Sequence, residues 1–123
     1  MKRIQRKRSK GWRMPENTVY VGRGSKWGNI YKVVNVNVAG VAPRWQLYNT
    51  VHKTYFGEYF TKEQAIWDSI HLYRYYLIDK LVLTDLNLAG LKGKDLACWC
   101  ALDKPCHADV LIKLVNKLYD NAT

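Results

Sequence analysis

The stretch Leu96-Ala97-Cys98-Trp99-Cys100, continued by Ala101-Leu102-Asp103-Lys104-Pro105 into Cys106-His107-Ala108-Asp109-Val110-Leu111, decides the fold. Its first residues are short, apolar and free of helix signals, the composition of a buried strand over 96–100. The following Ala101-Leu102-Asp103-Lys104-Pro105 segment reads as a loop. From about Cys106, the residues Val110, Leu111, Leu114, Val115 and Leu118 recur at helical spacing and form one apolar face. A strand feeding a helix through a short loop is a building unit of α/β domains.

Upstream, Thr61 and Gln64 stand at capping-box spacing, and Ile66, Ile70, Tyr73 and Leu77 form an apolar stripe. A helix is therefore predicted from Thr61 to about Lys80. Trp45-Gln46-Leu47-Tyr48 and His52-Lys53-Thr54-Tyr55-Phe56 flank Asn49-Thr50, which predicts a hairpin followed by a turn at Gly57. Residues 30–38 alternate Val34, Val36 and Val38 with Asn35 and Asn37, a strand with one wet face. Thr18-Val19-Tyr20-Val21 is a core strand closed by Gly22. Residues 86–91 form a short apolar turn or helix. Residues 1–17 are a basic arm or an edge strand, and residues 39–60 a hairpin insertion. The expected architecture is a single α/β domain over 1–123, with a mixed sheet and two or three helices.

With 123 residues, of which 48% are hydrophobic, the chain can bury one core, and a folded domain rather than a disordered chain is expected. No apolar run approaches the roughly 18 residues a membrane span requires. Met1-Lys2-Arg3-Ile4 leads into more charge rather than into the apolar centre of a signal peptide. No membrane partner is expected. The three cysteines are an odd number without an export signal, which fits a reducing compartment and places the protein in the cytosol. Charge is unevenly distributed: residues 1–32 hold ten positive groups against Glu16 alone, residues 33–123 ten against nine negative ones. The first quarter of the chain therefore calls for an anionic partner held at one place.

All three cysteines and one of the three histidines fall within ten residues, as Cys98-Trp99-Cys100 and Cys106-His107. The period of two puts Cys98 and Cys100 on one face of the strand, with Trp99 on the other. Asp103 or a neighbour would cap the following helix, whose N-terminus favours thiolates at Cys106. Three readings follow. Cys98, Cys100, Cys106 and His107 have the donor types of a zinc site, although C-x-C is tighter than the usual knuckle. Cys100 or Cys106 is a nucleophile, with His107 as its base. The third reading is ordinary packing, with cysteines as small buried hydrophobes. Asp109 serves the helix dipole. His71 is a half-exposed packing residue, and His52 carries no signal.

The loop Gly22-Arg23-Gly24-Ser25-Lys26-Trp27-Gly28-Asn29 places cations, an indole and an amide among three glycines. Exposed main-chain N–H groups would make it an anion cradle, with Arg23 and Lys26 on phosphate, Trp27 as a stacking face and Asn29 reading a base edge. The alternative is an ordinary turn with Trp27 folded into the core. Neither glycine fingerprint for nucleoside triphosphates or dinucleotides is present.

Three blocks together resemble a family of small proteins in bacteria and their phages named domain of unknown function 4326. They are Arg3-Ile4-Gln5-Arg6 with Gly11-Trp12-Arg13-Met14-Pro15, then Val21-Gly22-Arg23 with Lys26-Trp27-Gly28-Asn29. The third is Leu91, Gly93-Lys94 and Leu96-Ala97-Cys98-Trp99-Cys100 with Cys106-His107-Ala108-Asp109-Val110-Leu111. Ile30 and Ala101 stand where that family usually carries proline, and residues 33–60 match nothing in its pattern. The resemblance names no reaction, but it implies one composite pocket built from the glycine loop and the cysteine block. The expected function is binding of a nucleotide or nucleic acid there, with Arg6, Arg13, Arg23, Lys26, Trp27 and Asn29 as ligand-binding residues. One alternative is an enzyme acting on a nucleotide or nucleobase through Cys100, Cys106 and His107 or through zinc. The other is a plain nucleic-acid-binding module.

Overall fold

The computed structural model describes residues 1–37, 39–42 and 44–119. Along them run β1 (Arg3–Gln5), β2 (Thr18–Tyr20), β3 (Tyr31–Val36), β4 (Arg44–Asn49), β5 (Thr54–Tyr59), α1 (Lys62–Leu83), β6 (Asp95–Cys98) and α2 (His107–Tyr119). A 3-10 turn at Ala89–Leu91 leads into β6.

The expected α/β domain is present, but its parallel and antiparallel strands lie in two sheets instead of one mixed sheet. β6 is the centre of the parallel sheet, ordered β1-β6-β2. Arg3 pairs with Leu96 on one side, and Val19 pairs with the same residue on the other. Residues 3–5 thus form an edge strand rather than a free arm. The Lys2 and Arg6 backbones extend its ladder, through Leu96 N–H to Lys2 C=O and Arg6 N–H to Cys98 C=O. Both neighbours of β6 end level with its C-terminus, at Gln5 opposite Cys98 and Tyr20 opposite Ala97. Trp99 and Cys100 then leave the strand in a bend, two residues earlier than the pattern over 96–100 implied.

β3, β4 and β5 form an antiparallel meander, so the expected hairpin's two strands belong to a sheet shared with β3. Val38, assigned to the second strand from sequence, lies outside the described residues. The β4–β5 turn is displaced from the expected Asn49-Thr50 to residues 50–53, because the Asn49 side chain accepts from the Val51 and His52 N–H groups. Gly57 does not end the strand. Its φ of 74° lies where the β4–β5 register shifts between Trp45 and Leu47, so it supplies a bulge within β5.

α1 begins with the expected capping box. Gln64 N–H donates to the Thr61 hydroxyl, and the Gln64 side chain accepts from the Thr61 N–H. The helix continues one turn past Lys80 to Leu83, where Thr84 closes it by donating to the Lys80 carbonyl. Ala65, Ser69, Tyr73 and Leu77 are its buried residues. They follow the i, i+4 line, with Ile66 and Ile70 half-buried beside it. α1 packs on the meander and on α2, while α2 covers β6. Between these elements lies a core that includes Val21, Trp27, Tyr73, Leu77, Leu91, Leu96, Leu111 and Val115. Two of the cysteines, Cys98 and Cys106, are part of it.

Candidate functional site

The site begins where β6 stops. Cys98 is the last residue of the strand, Cys100 lies in the bend after it, and Cys106 immediately precedes α2. Their Sγ atoms lie within 4.8 Å of one another, Cys98 and Cys100 at 3.7 Å. All three are free thiols, two buried and Cys100 half-buried. Such crowding allows charge at one sulfur at the expense of the others. Hydrogen bonds from Cys100 and then Cys106 hold the Cys98 thiol well below the usual range. Hydrogen bonds with Cys106 and then Cys98, followed by burial, push the Cys100 thiol up.

His107, the fourth predicted ligand, stands at the edge of this cluster rather than within it. Its Nδ1 is 3.6 Å from Cys106 Sγ, while its Nε2 lies 2.6 Å from the Val21 carbonyl oxygen. A carbonyl only accepts, so Nε2 carries the proton and Nδ1 keeps its lone pair toward Cys106. Burial lowers the His107 pKa and so favours the neutral ring. The predicted base and nucleophile, His107 and Cys106, are therefore neighbours, and the Cys100 thiol makes a hydrogen-bond contact with Cys98 instead.

Loop 101–105 is held by a residue that the sequence reading did not single out. The Arg3 guanidinium Nη2 donates to the carbonyls of Leu102 and Lys104, each at 2.7 Å, and to Ala101 at 3.3 Å. Its Nε lies 3.6 Å from the Asp109 carboxylate. That carboxylate also accepts from the Cys106 N–H, so the α2 cap comes from Asp109 within the helix and not from the exposed Asp103. Arg3 sits on an edge strand directly beside β6, a position only strand pairing reveals.

A cleft of about 600 Å³ opens above the thiols. Arg23 and Asn29 from the glycine loop line it together with Cys98, Cys100, Cys106 and His107, so the two blocks do meet at one place. Residues 22–29 do not form an open cradle, however. The Ser25 and Gly28 N–H groups donate to the Gly22 and Ser25 carbonyls, and Trp27 N–H to the Ser25 hydroxyl, in consecutive turns. Gly28 permits this folding, since a Cβ there would lie 2.8 Å from the Gly22 carbonyl oxygen. Arg23 closes the loop by donating to the Asn29 and Tyr31 carbonyls. Asn29 Oδ1 accepts from Tyr31 N–H.

Three of the predicted ligand-binding residues lie away from the cleft. Trp27 is 4% exposed and belongs to the core, because its large apolar ring is worth more there than in solvent. Lys26 lies over the Trp27 ring and lines a separate surface hollow with Tyr76 and Asp85. Arg13 is exposed and is not among the residues lining the cleft. Arg6 reaches the rim, with its guanidinium 4.9 Å from the Tyr20 ring and 5.0 Å from the Trp99 ring. Arg8 stacks on Trp99 at 4.9 Å. Tyr20, Tyr31, Lys32, Trp99 and Lys104 line the cleft and were missed. Lone aromatic and lysine residues in four different segments leave no common motif to find.

These features define a small α/β domain with a three-thiol cluster at a strand–helix junction, under a cleft edged by cations and aromatic rings. The chain belongs to the family described as domain of unknown function (DUF4326), which matches residues 4–117 and so runs through the meander as well. No curated protein and no solved structure matches it. None of the described helices is long and apolar enough to cross a membrane.

Proposed function

We propose that the cleft binds a phosphate-bearing ligand, a nucleotide or the end of a nucleic-acid strand. The observation that carries this reading is the cleft's charge. Arg23, Lys32 and Lys104 line it, and among the described residues no Asp or Glu does. Three cations without a carboxylate in a partly apolar hollow select for an anion. The rim adds Tyr20 and Trp99 with the Arg6 guanidinium over both rings, surfaces on which a base stacks. Free thiols this close together fit a reducing compartment, so the reading carries the cytosol with it.

Calorimetry on the full chain with adenosine monophosphate and with a single-stranded oligonucleotide tests the reading. The Lys32→Ala/Lys104→Ala double variant removes two exposed cleft charges. Binding of the favoured probe is expected to weaken by at least about tenfold, roughly 1.4 kcal/mol. Absence of binding for both probes overturns the proposal. Salt separates the two ligand classes, because several phosphate contacts make affinity fall by orders of magnitude between low and moderate salt. A second reading, an enzyme acting on the bound nucleotide, draws on the thiols on the cleft wall.

A further inference from the structure

We propose that Cys98, Cys100 and Cys106 bind one zinc ion whose fourth coordination position opens on the cleft. The sulfur geometry is the first support. The 3.7 Å separation of the Cys98 and Cys100 sulfurs is close to the edge of about 3.8 Å in a tetrahedron with Zn–S bonds of ~2.3 Å. The third sulfur lies within 4.8 Å of both. Three soft donors suit zinc over magnesium or calcium, which demand oxygen.

Placement is the second support. Cys98 is fixed by a strand hydrogen-bonded on both sides. Cys106 is fixed at the start of α2, whose dipole favours thiolates. The intervening loop is tied at three carbonyls by Arg3. The donors are therefore positioned before any ion arrives. All three cysteines also line the cleft, so the remaining face of the tetrahedron is turned toward it. His107 lies outside the group of donors that converge within 4.8 Å. Its Nε2 bond to Val21 leaves Nδ1 on the Cys106 side, so the His107→Gln variant below decides whether it takes the fourth position. Three protein ligands with one exchangeable position is the arrangement of reactive zinc, whereas structural zinc is closed by four.

Binding forms three Zn–S bonds and transfers no electrons. Each sulfur that still carries a proton releases it to solvent, and the centre is left with one net negative charge. Water occupies the fourth position until displaced by a donor atom of the cleft's occupant, a phosphate oxygen or a base nitrogen. That displacement rests on the proposed cleft ligand, while metal binding itself does not.

The test uses the full chain prepared without oxygen, first with zinc and then with cobalt(II) in its place. One zinc per chain is expected, together with thiolate-to-cobalt charge-transfer bands and the visible bands of tetrahedral cobalt. Added imidazole shifts the visible bands if the fourth position is open. The cobalt spectrum of His107→Gln is expected to match that of the unsubstituted protein. Folded protein that shows no thiolate-to-cobalt band overturns the site. A band that imidazole leaves unmoved, or that His107→Gln alters, overturns the open position. Cys106→Ser is expected to abolish the band; because this change falls in the core, the spectrum of the unsubstituted protein decides should the variant not fold. Calorimetry with adenosine monophosphate on metal-free protein reads the cleft separately, so failure of either proposal is distinguishable from failure of the other.

Discussion

His107 Nε2 and the carbonyl oxygen of Val21 lie 2.6 Å apart, a hydrogen bond between the first residue of α2 and the residue that follows β2. This contact joins the two halves of the site. Val21 leads into the glycine loop, and His107 adjoins Cys106, so the bond ties the start of that loop to the start of α2. It also places a proton on Nε2, while burial favours the neutral form of the ring.

Stability should therefore decline on acidification. Burial lowers the His107 pKa below its ordinary 6.5, so the unfolded chain takes up a proton that the folded chain refuses. Stability is full above the unfolded value and falls as pH drops below it, by at most about 1.4 kcal/mol per unit until the folded pKa is reached. Urea unfolding of metal-free protein between pH 7.5 and 5 measures the slope. The His107→Gln variant has no titrating group at this position and is expected to lose this contribution to the slope.

Tyr73 provides a second long-range bond, from its hydroxyl to the Trp27 carbonyl at 2.5 Å. The ring is fully buried and the hydroxyl has no competing solvent. Tyr73→Phe leaves that carbonyl without its donor and is expected to cost about 1–3 kcal/mol in denaturant unfolding. Ligand binding in the cleft is expected to persist, because neither residue lines it.

Arg3 should act on the site without touching the ligand. Arg3→Met keeps an unbranched stem in place but removes the donor shared by Ala101, Leu102 and Lys104. Loop 101–105 is then expected to exchange its amide hydrogens faster than in the unsubstituted protein, with the protection of β3–β5 unchanged. Hydrogen exchange read by mass spectrometry checks this. Unchanged protection in the loop would show that the carbonyls are held by something else.

The elements that were legible in the sequence are those whose signals are local. Thr61 and Gln64 announce the α1 start because a capping box needs only three residues of separation. Cys98, Cys100 and Cys106 were recognisable as a group because a strand, a short loop and a helix start bring them together without distant partners. What stayed hidden depends on pairing across the chain. Arg3 opposite Leu96 decides for an edge strand over a basic arm, a choice the sequence left open, and the two-sheet division follows from which strands find partners, which composition does not encode. Trp27 illustrates the limit within a loop. Its neighbours Lys26 and Asn29 suggested exposure, but the turns at Ser25 and Gly28 send the indole inward.

Trp27 and Trp99 should consequently respond differently to truncation, the first through the core and the second through the cleft. Trp27→Ala empties a core site that is 4% exposed, and a loss of about 3–5 kcal/mol in unfolding free energy is expected. Trp99 is 38% exposed and packs chiefly against the Arg6 and Arg8 guanidiniums. Trp99→Ala forfeits those two contacts at a cost of about 0.5–1 kcal/mol each at an exposed site, so the fold should survive. Loss of a stacking face is worth about 1–3 kcal/mol per base. Binding of adenosine monophosphate to Trp99→Ala should therefore weaken by about fivefold to a hundredfold. Unfolding curves and calorimetry on the two variants separate these effects: a Trp99→Ala protein that binds at full strength would place the base elsewhere in the cleft.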